Sequence, residues 1–150
     1  MTGHLFHAGL DPAFPATLSP SVINGLLRGR LGYDGVVVTD DLQMDAIAAE
    51  YTLEEVVLRA IGAGADILLF GNNLEYDPAI VAKVQAVIVR AVEDGTISRA
   101  RLEASWRRIL KAQAADVLML RRRPPAETIF WSRSRFRKGF GLLPPVRRPP

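Results

Sequence analysis

Asp40 and Asp41 stand side by side at the end of the run Gly35-Val36-Val37-Val38-Thr39. Val36 to Val38 shows no polar alternation, so it reads as a strand covered on both faces, as in a parallel sheet flanked by helices. In such folds the chemistry collects just past the carboxyl ends of the strands. A carboxylate placed there can serve as nucleophile, general base or metal ligand. The plainer reading, that one of the two caps a following helix, competes with it. Two acids in succession, followed by Leu42-Gln43-Met44, favour function. Asp40, Asp41 and Asp45 together would suit Mg²⁺, but no glycine-rich phosphate loop and no second acidic cluster accompanies them. No metal is therefore expected.

The elements that hold this pair follow from spacing. Ser19-Pro20 opens a first helix with an N-cap serine and a proline in the first turn. Its stripe is Val22, Ile23, Leu26 and Leu27, and Gly32 closes it. A strand over about 34–39 comes next. Thr52 and Glu55 form a capping box for a second helix striped by Leu53, Val56, Val57, Ala60 and Ile61. Asp66 to Phe70 is another continuous apolar strand, with Asp66 read as a cap and Asn72-Asn73 as its outgoing turn. A third helix begins at Asp77-Pro78 and ends at Gly95. A fourth, capped by Ser98, carries Leu102, Trp106, Ile109 and Leu110, which places Trp106 in the core. Met1 to Phe6 reads as an earlier strand.

Val36 and Ile67 are 31 residues apart, the length of a βαβ unit. The class is therefore α/β, with about three parallel strands and flanking helices. Three strands do not close a barrel, and an eight-stranded one takes about 250 residues. The expected architecture is a partial TIM (β/α)8 barrel, part of a larger barrel or the product of a truncated gene.

Composition narrows the classes. With no cysteine, disulfides and thiolate chemistry are excluded, and only His4 and His7 could offer imidazole. No apolar run approaches the roughly 20 residues of a membrane span, and no signal peptide is apparent, so a cytoplasmic location is the default. The net charge of +3 conceals two regions: residues 1–120 hold 10 Lys/Arg against 15 Asp/Glu, whereas residues 121–150 hold 9 against one. Residues 1–118 are expected to form the folded part. Residues 119–150 read as a disordered Pro/Arg-rich tail whose Phe130, Trp131, Phe136 and Phe140 are interleaved with arginines. Such a tail could stack on bases and bind phosphates, which makes a noncatalytic, nucleic-acid-contacting protein the alternative function.

His4, Leu10-Asp11-Pro12, Pro15-Ala16-Thr17-Leu18-Ser19 and Leu31-Gly32-Tyr33-Asp34-Gly35-Val36-Val37-Val38-Thr39-Asp40-Asp41-Leu42-Gln43-Met44 resemble glycoside hydrolase family 3, in its β-N-acetylhexosaminidase branch. Ala63-Gly64-Ala65-Asp66-Ile67-Leu68-Leu69 and Ser105-Trp106-Arg107-Arg108-Ile109-Leu110 continue the likeness to about residue 115. The resemblance implies the C-terminal half of a catalytic barrel, with Asp40 as the nucleophile of a retaining hydrolase. His4, Asp41 and Met44 become substrate-binding candidates, with Asp41 orienting its neighbours rather than reacting. The implied substrate is a glycoside with a terminal N-acetylglucosamine, cleaved without cofactor, in a context such as peptidoglycan recycling. In that family the acid/base pair lies on an earlier loop with a Lys-His-Phe-Pro-Gly-His-Gly stretch. These 150 residues contain no such stretch, so the chain is expected to need the other barrel half and to hydrolyse little alone.

Overall fold

The computed structural model describes residues 1–73 and 76–122. The chain divides after Asp116, and the core and the site both lie in the first unit, Met1–Asp116. Of the arginine-rich stretch, residues 123–150 and their aromatic side chains fall outside the described residues.

After a short 3₁₀ turn at Ala16–Leu18, a helix runs over Ser21–Arg30, wound in the wide π form, and the Leu31 amide donates back to Leu26. Ser19 Oγ accepts from the Val22 amide, the expected cap. Strand β1 is Val38–Asp41, α1 is Asp45–Ala48, α2 is Leu53–Ala63 and β2 is Ile67–Leu69. Helices α3, Ile80–Glu93, and α4, Arg99–Arg122, follow. The two strands are parallel, with Val38 paired to Ile67 and Asp41 to Leu69.

Helix α2 is the centre of the fold. Its capping box forms as the sequence predicts: the Glu55 amide donates to Thr52 Oγ1 at 3.3 Å, and the Thr52 amide donates to Glu55 Oε2 at 2.9 Å. Gly64 ends it at φ +117°, a conformation few other residues adopt readily. The helix is buried on two sides. Val56, Ala60 and Ala63 join Leu18, Ile23, Val37, Leu42 and Ile47 behind the sheet, while Val57 and Ile61 pack with Ala91 and Ile97 beneath α3 and α4.

Three expectations are corrected. Among the described residues there are two strands, not three. Met1 to Phe6 is joined to β1 through one backbone bond, Thr2 N to Val38 O at 2.8 Å, which does not make a ladder. The strands are also not covered on both faces. Leu68 and Phe70 pack into the core, but Ile67 and Leu69 are 39% and 40% exposed on the other side.

The third correction is the face of α4. Trp106 is 60% exposed, and the face turned inward is Arg101, Ser105 and Arg108, spaced as one side of a helix. All three reach Asp66, whose side chain is fully buried. Ser105 Oγ donates to Asp66 Oδ1 at 2.6 Å, Arg108 at 3.0 Å, and Arg28 donates to Oδ2 at 2.7 Å. The Val37 amide adds a bond at 2.9 Å, and Arg101 lies 3.7 Å away. Burial alone would raise the Asp66 carboxyl, but these donors and cations outweigh it and hold its pKa below the ordinary value. The arginines also bond carbonyls at the end of α2 and just beyond it: Arg101 donates to Ile61 and Ala65, and Arg28 to Gly64. Asp66 thus ties the π-helix, α2 and α4 together at the amino end of β2.

Candidate active site at the carboxyl end of β1

Burial alternates along β1. Val37 and Thr39 are enclosed, whereas Val38 and Asp40 are half-buried, so Asp40 belongs to the side of the sheet turned away from the helices. The register slips between the two paired positions: three residue steps on β1 oppose two on β2. This is a β-bulge, a device that re-aims side chains at strand ends. The fully buried Thr39 repairs the ladder there, its Oγ1 accepting from the Leu69 amide at 2.9 Å.

Past the bulge, the two carboxylates diverge. Asp40 Oδ1 accepts from the Asp41 amide at 2.9 Å. Among the described residues it makes no salt bridge and caps no helix. Asp41 is held from every side. Its Oδ1 accepts from the amides of Gly71 at 2.9 Å and Gln43 at 3.0 Å. Its carbonyl accepts from His4 Nε2 at 2.8 Å and from the Met44 amide at 3.1 Å. A side chain at Gly71 would collide with the Asp41 carboxylate and come within 3.1 Å of Asn73 Oδ1, so glycine is required at this crossing.

Gln43 carries the same linkage further. Its Oε1 accepts from the Asn72 amide at 2.7 Å. Asn72 sits at φ +52°, and its side chain exchanges two bonds with the Asp77 backbone, at 2.8 and 3.0 Å. The turn reading of Asn72 is therefore what the fold uses. The loop after β1 and the loop after β2 are stitched into one rim.

The sequence-predicted residues are distributed as follows. Asp40, Asp41 and His4 meet at this rim. Met44 contributes its amide and starts α1, with its side chain 41% exposed. Both His4 nitrogens are engaged inside the chain, the second, Nδ1, at 3.1 Å from Thr17 Oγ1. Sequence reasoning did not single out Gln43 or Gly71. Gln43 and Thr17 lie inside the motifs that carry the resemblance, but nothing in their spacing reports the contacts they make. A cleft of about 690 Å³ lies alongside, lined by Leu42, Gln43, Asp45, Tyr51 and Ile80 among others. Two smaller clefts lie under α4 and behind Phe6. Asp40 lines none of the three; among the described residues, the strand residues on its side of the sheet, Ile67 and Leu69, are left exposed.

Residues 1–112 match the glycosyl hydrolase family 3 N terminal domain. The chain belongs to glycosyl hydrolase family 3. A beta-hexosaminidase of Alkalilimnicola ehrlichii is 42% identical over 81 residues, which is 54% of this chain and 23% of that protein. Among solved structures, the beta-N-acetylglucosaminidase of Thermotoga maritima superposes with a TM-score of 0.69 at 32% identity, covering 76% of this chain and 24% of that one. A family 3 beta-N-acetylglucosaminidase from a Paenibacillus species gives 0.63 at 43% identity, over 69% and 19%. This family 3 chain thus spans about a quarter or less of the length of these relatives.

Proposed function

We propose that this chain forms the nucleophile-bearing part of a (β/α)8 barrel that hydrolyses glycosides of terminal N-acetylglucosamine with retention of configuration. One observation carries the reading: Asp40 is a half-buried carboxylate at the carboxyl end of a strand, with neither a cation nor a helix cap to serve among the described residues. Such a group is ready to react, and the bulged strand gives it a rigid base. An Asp40 oxygen attacks the anomeric carbon as the glycosidic C–O bond breaks, and the leaving oxygen takes a proton from an acid. Water then displaces Asp40, giving its proton to the same group. The acid/base residue and the facing wall come from barrel segments outside these 150 residues. In this reading the barrel part is residues 1–118, although α4 itself continues to Arg122.

The test exploits the family likeness. Residues 1–112, exchanged for the structurally matching segment of the Thermotoga maritima beta-N-acetylglucosaminidase, should give a chimera that turns over a fluorogenic N-acetylglucosaminide. Asp40→Asn in that chimera should lower kcat by at least about 10³-fold. An Asp40→Asn chimera that keeps its rate overturns the proposal. The 150-residue chain by itself should show no turnover above its own Asp40→Asn control, since losing the acid/base alone costs about 10²–10⁴-fold.

A further inference from the structure

His4 has no nitrogen left over for a ligand, and what it holds is the residue next to Asp40. Its Nε2 lies 2.8 Å from the Asp41 carbonyl oxygen, an acceptor only, so Nε2 must carry the proton. In the neutral imidazole Nδ1 is then an acceptor, 3.1 Å from the hydroxyl of Thr17, which is fully buried. Thr17 Oγ1 is in turn 3.0 Å from Thr2 Oγ1, and Thr2 donates its amide to Val38 in β1. The result is a directed chain, Thr2 to Thr17 to His4 to the Asp41 carbonyl, anchored to the strand at both ends. Together with the Met44 amide it fills both lone pairs of that carbonyl.

The consequence reaches Asp40 through one residue, Asp41, whose carbonyl and amide lie on either side of its Cα. The Asp41 amide is the donor to Asp40 Oδ1. With its carbonyl fixed by His4 and Met44, and its carboxylate fixed by Gly71 and Gln43, Asp41 cannot rotate. Its amide therefore points one way, and the Asp40 carboxylate takes its orientation from it. We propose that His4 is a positioning residue: through the Asp41 carbonyl it sets the direction in which the Asp40 carboxylate faces, and it does not contact the sugar. This rests on the reading of Asp40 as the nucleophile.

Amide hydrogen exchange and ring ¹⁵N spectroscopy test the clamp in the 150-residue chain without reference to activity. The His4 ring should be protonated at Nε2. His4→Ala should speed exchange at Asp41 and Gly71 by roughly three- to tenfold, the effect of one lost hydrogen bond, while Val57 and Ala60 in α2 keep their rates. His4→Gln, whose amide nitrogen can stand where Nε2 stood, should restore protection. In the chimera, His4→Ala should lower kcat by a similar factor with KM unchanged, and His4→Gln should recover it. A proton on Nδ1, unchanged exchange at Asp41, acceleration of every amide alike, or a raised KM with kcat kept would each overturn the proposal. If the Asp40→Asn chimera remains active, the nucleophile reading fails while the exchange result still reports on the clamp.

Discussion

Two aspartates occupy opposite ends of one strand pair and have been given opposite surroundings. Asp66, just before β2, is fully enclosed and meets Arg28, Arg101, Arg108, Ser105 and the Val37 amide. Asp40, near the end of β1, is half-buried and accepts one bond from its neighbour's amide. The chain thus spends its nearby cations on the carboxylate that holds the fold together, and leaves the other without one among the described residues. A carboxylate gripped by three guanidiniums is a poor nucleophile and a good anchor. The reverse holds for one that is oriented but unneutralised.

The largest effect should come from breaking the anchor. Asp66→Ala leaves three arginines facing each other in a partly enclosed site. The loss of stability should be about 3–5 kcal/mol, read as a fall in the urea midpoint or as failure to fold. Asp40→Asn, by contrast, should move the same midpoint by less than about 1 kcal/mol. A result in which the two substitutions cost alike would erase the distinction between the two ends.

Acid should act through the anchored end. The Asp66 carboxyl is depressed in the folded state, as is that of Asp11, chiefly through the Ser19 hydroxyl and then the Ala13 amide. A depressed folded pKa contributes stability that is present above the unfolded value, 3.8, and is lost as pH falls through the folded one. Urea midpoints should therefore hold steady from pH 7 to about 5 and drop below about 4. The drop should be shallower in Asp66→Asn. A flat profile down to pH 3 would mean that the arginine cluster contributes little.

The smallest effect sharpens the same contrast on α4. Trp106 lies on the outer side of a helix whose inner side is Arg101, Ser105 and Arg108. Trp106→Ala should change stability by no more than about 0.5 kcal/mol, whereas a buried tryptophan would cost about 3–5 kcal/mol. Denaturant unfolding of the single variant decides between them.

That helix also shows where sequence reading reaches and where it stops. The capping box at Thr52 and Glu55, the Ser19 cap and the left-handed glycines Gly32 and Gly95 were legible, because their signals are local. The position of the two acids at a strand end was legible too. The inward face of α4 was legible only in part: Leu102 packs on the second core cluster as its spacing says, but Trp106 points outward and the polar side formed by Arg101, Ser105 and Arg108 carries no apolar signal. The deciding partner, Asp66, is 42 residues from Arg108 in sequence. The open face of β1 and β2 escaped for a related reason: an unbroken apolar run says that both faces are meant to be covered, not which segments cover them. The stitching of Asp41 to Gly71 and Gln43 to Asn72 likewise joins residues about 30 apart, beyond what any short pattern carries.

The most direct test of the Asp40 assignment is to catch the reaction halfway. A fluorinated N-acetylglucosaminide that forms its glycosyl–enzyme adduct faster than it loses it, incubated with the chimera and followed by proteolysis and mass spectrometry, should leave one sugar on the peptide that contains Asp40 and none in Asp40→Asn. An adduct mapped to Asp41 or to any other residue, or one that persists in Asp40→Asn, would contradict the account.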